Sequence, residues 1–340
     1  MHAVQSYQKF SEQQYVEALL HCPNKKVCTN LAETMGVSHD SMYRNFENHG
    51  EQIESARKEI ENLAQRHLDK DNIYLCIDDT RATKLYAKKI EGLEVAYDGS
   101  IDMPALGITM VDALLTDTKI NIPINATPFF SRDLVQSHYK TKSEIAIAIT
   151  KHAVEVFKIK RMLGDAHYAT KQYLSWANEH QLPYLMKIPR NRVVTIDGKN
   201  GQLKEIFRLK RNRHMQVTKG TFHGIDCYFY VIKIKDGSTI YLISSDWIGL
   251  NEVLAMYRIR WNIEIFHRTA KQHLGFNDCQ MLAIEKQRQH IIFVMLAYAV
   301  ASVQQCLLNL NCVEDVLKWL RSVKVRHGCY PFSAAGENLC

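Results

Sequence analysis

The sequence predicts an α/β protein: a mixed sheet preceded by a small all-α region and interrupted late by a β-rich insertion. Three observations carry this. Apolar residues recur at helical spacing up to about residue 70, and the period then shortens at Ile73–Ile77, a run apolar on both alternating faces as in a buried central strand. From there strand-like and helix-like stretches alternate as far as Ile188. Between 189 and 248 glycine-containing turn dipeptides separate short β-rich runs, and the helical period is lost.

A chain of 340 residues is long enough for two or three domains and at least one large core. Its hydrophobic share of 46% and charged share of 23% are those of a globular protein. A net charge of +7 permits a polyanionic partner without requiring one. The nine cysteines form no CxxC pair, which argues against a disulfide framework or a zinc site and for a reducing compartment. The amino terminus, MHAVQSYQKF, has no apolar signal core. The longest apolar run, Ile291–Ala301, falls well short of the ~20 residues needed to span a bilayer. A cytoplasmic protein with no membrane partner is expected.

Residues 1–50 read as three short helices. Ala32, Gly36 and Met42 have the spacing of a helix-turn-helix: a small residue for close approach, a turn, and a residue packing the second helix back. Ser38 would cap that second helix, leaving His39, Ser41, Arg44 and Asn45 as groove-facing candidates. A plain helical bundle with a left-handed turn at Gly36 satisfies the same pattern. Residues 51–70 continue as a helical connector. In 71–188, the strand Ile73–Ile77 ends in Asp78-Asp79-Thr80, and two adjacent carboxylates there are costly to bury without a partner. A basic irregular segment follows (Arg81, Lys84, Lys88, Lys89), with a turn at Asp98-Gly99. Leu106–Leu115 and Lys119–Ile124 then form a hairpin, Pro123 placing its second strand towards an edge. Thr141-Lys142-Ser143-Glu144 is a capping box opening a helix to about Lys158. A strand Ile159–Gly164 ends in Asp165; a helix over Ala169–His180 and a strand over Pro183–Ile188 complete the stretch.

With the first and fourth of these strands side by side, Asp79 and Asp165 stand at neighbouring strand ends, an arrangement suited to a shared cation. Each Asp taken alone reads rather as a cap or turn residue; it is the pair that favours the cation. In the insertion, Asp197-Gly198, Asn200-Gly201 and Asp236-Gly237 are turn signals. Between Lys187 and Lys219 stand ten Lys or Arg against two acids, an excess of eight that is larger than the charge of the whole chain. That is what a seat for a phosphate backbone requires, although a merely soluble, highly charged hairpin has the same excess.

The segment 249–280 contains YRIRWNIEIFHRTAK, Tyr257 to Lys271. Read as one helix, it gathers Tyr257, Arg260, Glu264, Arg268 and Lys271 on one side, with Ile259, Ile263, Phe266, Ala270 and Leu274 opposite. A solvated face with one Glu–Arg pair is the plain reading. An acid set among bases also suits a metal ion held on the acid and phosphates held on the bases. Residues 281–340 hold a long apolar helix over Glu285–Leu310, a shorter one over Val313–Val323, and an aperiodic end.

The spacing Tyr257-x2-Arg260-x3-Glu264-x6-Lys271 resembles the Tyr-Arg-Glu-Lys signature of the IS-four family of bacterial insertion-sequence transposases, members of the DDE superfamily. The resemblance runs from about Ile73 to Leu310. It implies an RNase H-like fold, with the β insertion preceding the last catalytic helix. It further implies catalytic and metal-binding roles for Asp79 (the Asp preceding Thr, where pattern alone leaves Asp78 open), Asp165 and Glu264. Tyr257, Arg260, Arg268 and Lys271 would hold DNA phosphates, and Trp247 would stack a base flipped from the duplex, although a packing role suits that residue as well. Two Mg2+ ions about 4 Å apart, with Mn2+ able to substitute, would activate water and neutralise the leaving oxygen. Water attack would free a 3′-hydroxyl at the element end, and the same site would direct it at target DNA. The implied partners are double-stranded DNA, as transposon ends and as target, and a second copy of the chain in a homodimeric synaptic complex. The implied location is the bacterial cytoplasm, at the nucleoid. The carboxyl end is shorter than the dimerising helical tail of such enzymes. Two other activities fit the same residues: an inactive, transposon-derived DNA-binding repressor, and an RNase H-like nuclease that cuts without joining.

Overall fold

The computed structural model describes residues 11–322 apart from 45, 47, 48, 100, 136, 137 and 210–212. Four helices come first: α1 (Glu12–His21), α2 (Cys28–Met35), α3 (His39–Arg44) and α4 (His49–His67). Ser11 and Gln14 close a capping box on α1. Gly36 ends α2 in the left-handed region at φ 65°, its N–H turned back to the carbonyls of Ala32 and Glu33. Ser38 Oγ accepts the N–H of Ser41 and starts α3. Ala32 and Met42 are both buried, as their spacing requires; Asn45 lies outside the described residues.

Next come β1 (Ile73–Thr83), β2 (Glu94–Asp98), β3 (Met103–Thr116), β4 (Asn121–Phe129), α5 (Arg132–Val135), α6 (Lys142–Val156), β5 (Ile159–Gly164), α7 (Lys171–Glu179) and β6 (Tyr184–Lys187). The insertion supplies β7 (Val193–Ile196), β8 (Lys199–Gln202), α8 (Leu203–Ile206), β9 (Met215–Phe222), β10 (Ile225–Lys233) and β11 (Thr239–Ser244). The chain closes on α9 (Leu250–Arg258), α10 (Trp261–His273), α11 (Ile284–Leu307) and α12 (Val313–Ser322). All eleven strands form one sheet in the order β2-β3-β1-β5-β6-β11-β10-β9-β7-β8, with β4 beside β3 on the edge it shares with β2. Strands β1, β5 and β6 are parallel, α6 leading from the β4 edge into β5 and α7 crossing from β5 to β6; the pairings of the insertion are antiparallel. The insertion therefore prolongs the catalytic sheet through β11 and β6 rather than standing beside it.

Three local expectations change. The basic segment after β1 contains a strand, β2, paired to the first part of β3. Val95 and Tyr97 face outwards there, at 69% and 63% exposure, which erased the alternation that would have announced it. Buried Arg81 ties the strands together, donating to the carbonyls of Glu94, Ala105 and Gly107 and to Thr109 Oγ1. Asn200-Gly201 is not a turn but part of β8; the two-residue loop is Asp197-Gly198, both at positive φ. The stretch Tyr257–Lys271 is two helices rather than one. Around Ile259 and Arg260 the hydrogen bonds tighten to i→i+3 (Ile259 to Met256, Arg260 to Tyr257, Asn262 to Ile259), while both residues keep right-handed helical angles.

The amino-terminal helices share one core with the carboxyl-terminal ones. α1 packs on α11 and α12, and the buried Tyr15 hydroxyl bonds His290 Nδ1 at 2.9 Å. α11 is long and apolar enough by composition to cross a bilayer, but 72% of its apolar window is buried by protein, as in a core helix. A groove between α1, α4 and α11 is lined by Val16, Leu20, Leu63 and Val303 and also by Glu17. Glu17 is 8% exposed and its Oε2 has no hydrogen-bond partner; burial pushes its carboxyl up to about 7. With the folded value above the ordinary 4.5, its stabilising contribution is complete below about pH 4.5 and is lost as pH rises through about 7. Glu17→Gln should accordingly stabilise the protein by about 3 kcal/mol near pH 8, with no gain below pH 4.5. Urea unfolding at the two pH values measures the difference, and equal gains at both would refute it.

Candidate active site

β1 is fully apolar and buried through Ile77, then becomes half-exposed at Asp78 and Asp79, so the strand anchors the two acids by its own core. β5 runs parallel beside it with Gly164 opposite Ile77, which brings Asp165, the next residue, to the level of both. α10 is fixed from its other face by Ile263, Phe266, Ala270 and Leu274, all fully buried. Its polar side borders a cleft of about 770 Å3 whose walls include Asp78, Asp79, Lys142, Glu264, Arg268 and Lys271.

Arg260, at the tight turn between α9 and α10, joins the chain-distant acids. One guanidinium nitrogen donates to Asp78 Oδ2 at 2.7 Å and the other to Glu264 Oε1. Its Cζ lies 5.8 Å from the centre of the Tyr257 ring. Burial opposes its charge, but Tyr257, Asp78 and Glu264 together hold the guanidinium above its ordinary range. Burial pushes Asp78 up to about 6, with His267 and Arg260 opposing. Tyr257 is pushed up to about 12 by burial; Arg260 opposes, and the charges of Asp165 and Asp78 add to the rise. Asp165, set beside the end of β1 by the strand register, is not among the residues walling the cleft. Lys271 is lowered by burial against the pull of Asp98 and Asp112.

Alternation along β1 sends its neighbouring acids to different partners. Asp78 meets Arg260 from the turn before α10. Asp79 meets Lys142 at the start of α6, 2.8 Å from Oδ2, while the buried Tyr168 hydroxyl donates to Oδ1 at 3.2 Å. Lys142 and Tyr168 were not singled out from the sequence; the signal for Lys142 was its place directly after the cap Thr141. A second pair also escaped notice. Asp112 on β3 lies opposite Asp78, is fully buried, and bonds His267 Nε2 at 2.9 Å through Oδ2 while Oδ1 has no partner. A lone acid within the apolar run ALGITMVDALL was the clue, since burial of such a group demands a partner.

Among the described residues, no three His, Cys, Asp or Glu side chains form a ready cage for a cation. The acids here are held by protein cations instead, Asp79 by Lys142 and both Asp78 and Glu264 by Arg260. Their donor chemistry fits a hard divalent ion, which takes one or two carboxylates and completes its shell with water and phosphate.

The other expected contacts lie elsewhere. Trp247, 62% exposed, sits on the loop after β11, away from the cleft walls. Its neighbours are fixed on both sides: Asp246 takes a two-pronged pair from Arg161 at 2.6 and 2.7 Å, and the Ile248 N–H donates to the Tyr230 hydroxyl at 2.6 Å. On α3, Arg44 is exposed. His39 borders a hollow with Lys26, Tyr43 and Asp278, and Lys286 Nζ lies 5.0 Å from the Tyr43 ring centre, so part of this helix leans on the body of the protein.

Two protein families match this chain. The DDE superfamily endonuclease family matches residues 5–202, and the transposase DDE domain matches residues 134–300. No curated protein matches the sequence. Among solved structures, the fold is similar to that of piggyBac transposase in its synaptic complex with hairpin DNA, with a TM-score of 0.54 and 10% identity over 91% of this chain and 70% of that one. The endonuclease family's match across more than half the sequence, the transposase-domain match and the transposase-like fold agree: the chain belongs to the DDE superfamily of endonucleases and is a transposase of that kind.

Proposed function

We propose that this transposase is of the Tyr-Arg-Glu-Lys (IS-four) group, with Asp79, Asp165 and Glu264 as its metal-binding carboxylates. The observation that carries the reading is Arg260, one side chain in contact with two acids 186 positions apart, Asp78 on β1 and Glu264 on α10, at the cleft that Asp79 also lines. Asp79 is favoured over Asp78 as the ligand because its side chain is the more exposed of the two and its partner is a single lysine ammonium.

Divalent metal ions, as DDE endonucleases use, would be two Mg2+ here, supplying an activated water and charge neutralisation at the leaving oxygen. Asp79, Asp165 and Glu264 would hold them. Arg260, Lys271, Arg268 and the Tyr257 hydroxyl would orient the phosphates at the element end. The basic insertion strands would seat the flanking duplex. Trp247, presented rigidly between Asp246 and Ile248, would stack a displaced base. His39 and Arg44 would add DNA contacts from α3. The likeness to a transposase synaptic complex supports DNA as the partner; a homodimer would hold the two ends, acting at the nucleoid.

The test is to incubate purified protein with duplex DNA carrying the flanks of its own reading frame, with Mg2+ and then with EDTA. The expected result is metal-dependent nicking at a fixed position, followed by joining to a second duplex. Cutting without joining would make it a nuclease, and specific binding without cutting would make it a repressor.

A further inference from the structure

The two oxygens of Asp79 are held by different kinds of group. Oδ1 accepts from the hydroxyl of Tyr168, a fully buried ring that fixes the carboxylate's orientation. Oδ2 faces Lys142 Nζ at 2.8 Å, in a pair whose side chains are 22% and 24% exposed. The backbone of Lys142 is pinned on both flanks. Thr141 forms a capping box with Glu144, and Ser143 Oγ bonds Thr170 Oγ1, the cap of α7, at 2.9 Å. Its head also lies 5.5 Å from the Phe129 ring centre. The lysine is thus delivered to Asp79 by rigid neighbours, on a flexible stem ending in a readily hydrated ammonium. Arg260 differs: it is tied to two acids and lies over an aromatic ring.

We propose that Lys142 is a resident counter-ion, holding Asp79 Oδ2 in the unloaded enzyme and surrendering it when the divalent ion binds. This rests on the reading of Asp79 as a metal-binding carboxylate. The pairing keeps a partly desolvated carboxylate satisfied and aimed while no metal is bound. On release, Nζ keeps its seat over Phe129 and remains at the cleft as a free positive charge, available to a DNA phosphate. Metal loading and the positive potential of the cleft are then coupled through one side chain, and loading is weaker than the acids alone would allow.

The measurement is Mn2+ binding to the full-length protein by titration calorimetry, without DNA. Lys142→Met should bind Mn2+ about three- to tenfold more tightly than the unaltered protein, while Lys142→Arg should not. The gap should narrow as monovalent salt rises, because salt already weakens the competing pair. Lys142→Gln replaces the Met variant if thermal melting shows that the latter fails to fold. Equal or weaker binding in the charge-removing variant would overturn the proposal and leave Lys142 as an anchor for α6. Asp79→Asn separates the underlying reading. Weaker Mn2+ binding in that variant upholds Asp79 as a ligand, whatever Lys142 does; unchanged binding removes the ligand assignment, and the counter-ion role with it.

Discussion

Glu264→Gln should abolish Mg2+-dependent cleavage, by at least about 10³-fold, while changing the affinity for end DNA by less than about threefold. The side chains are nearly the same size, and α10 is held by Ile263, Phe266, Ala270 and Leu274, none of which is touched. What disappears is one negative charge at the cleft and one charged partner of Arg260. A DNA phosphate gains nothing from that carboxylate, so binding survives, whereas a divalent ion loses a hard anionic ligand. Gel-shift and nicking assays on the same preparation separate the two effects. Retained metal-dependent nicking would remove Glu264 from the catalytic set.

Arg260→Ala should be costly in two ways. Asp78 and Glu264 share this guanidinium, and their side chains are 18% and 32% exposed, so its removal leaves one largely enclosed carboxylate without its ion-pair partner. Removing one member of such a pair costs about 3–5 kcal/mol when fully buried; the partial exposure here argues for the lower end. Asp78 already sits at about 6, and losing a cation that opposes the rise should carry it higher, so that it takes up a proton near neutral pH. The stability penalty should therefore shrink on acidification, since the protonated acid no longer needs a partner. Equilibrium unfolding at about pH 5 and pH 8 checks the sign, and a penalty that grows with acid would contradict it. If Arg260 also meets a phosphate as proposed, end binding should weaken too, with a shallower salt dependence.

Much of this site could be read in the sequence because the residues that build it obey local rules. The apolar face of α10 and its charged face follow from helical spacing, and the buried run before Asp78 marks a central strand whatever its neighbours are. Thr141 and Glu144 announce their helix by capping chemistry alone. What escaped depends on contacts between distant segments. β2 is a strand because β3 is beside it and Arg81 crosslinks the two, not because of its own pattern. Lys142 matters through a carboxylate 63 positions earlier, and His267 through one 155 positions earlier. The break at Ile259–Arg260 likewise follows no Gly or Pro; only the structure reveals it, and there it accompanies the Arg260 contacts to Asp78 and Glu264.

Because the insertion strands continue the sheet that carries Asp79, the distance between the two is fixed by strand spacing. Five strand steps separate β1 from β9, about 24 Å at the usual spacing between strands. At 3.4 Å per base pair that is about seven pairs of B-form duplex. Among the described residues the strands between them are joined edge to edge by backbone hydrogen bonds, so if the insertion seats the duplex as proposed, the distance from the acids to that seat is fixed by the sheet, and moving β9 by one strand should move the cut by about one to two base pairs.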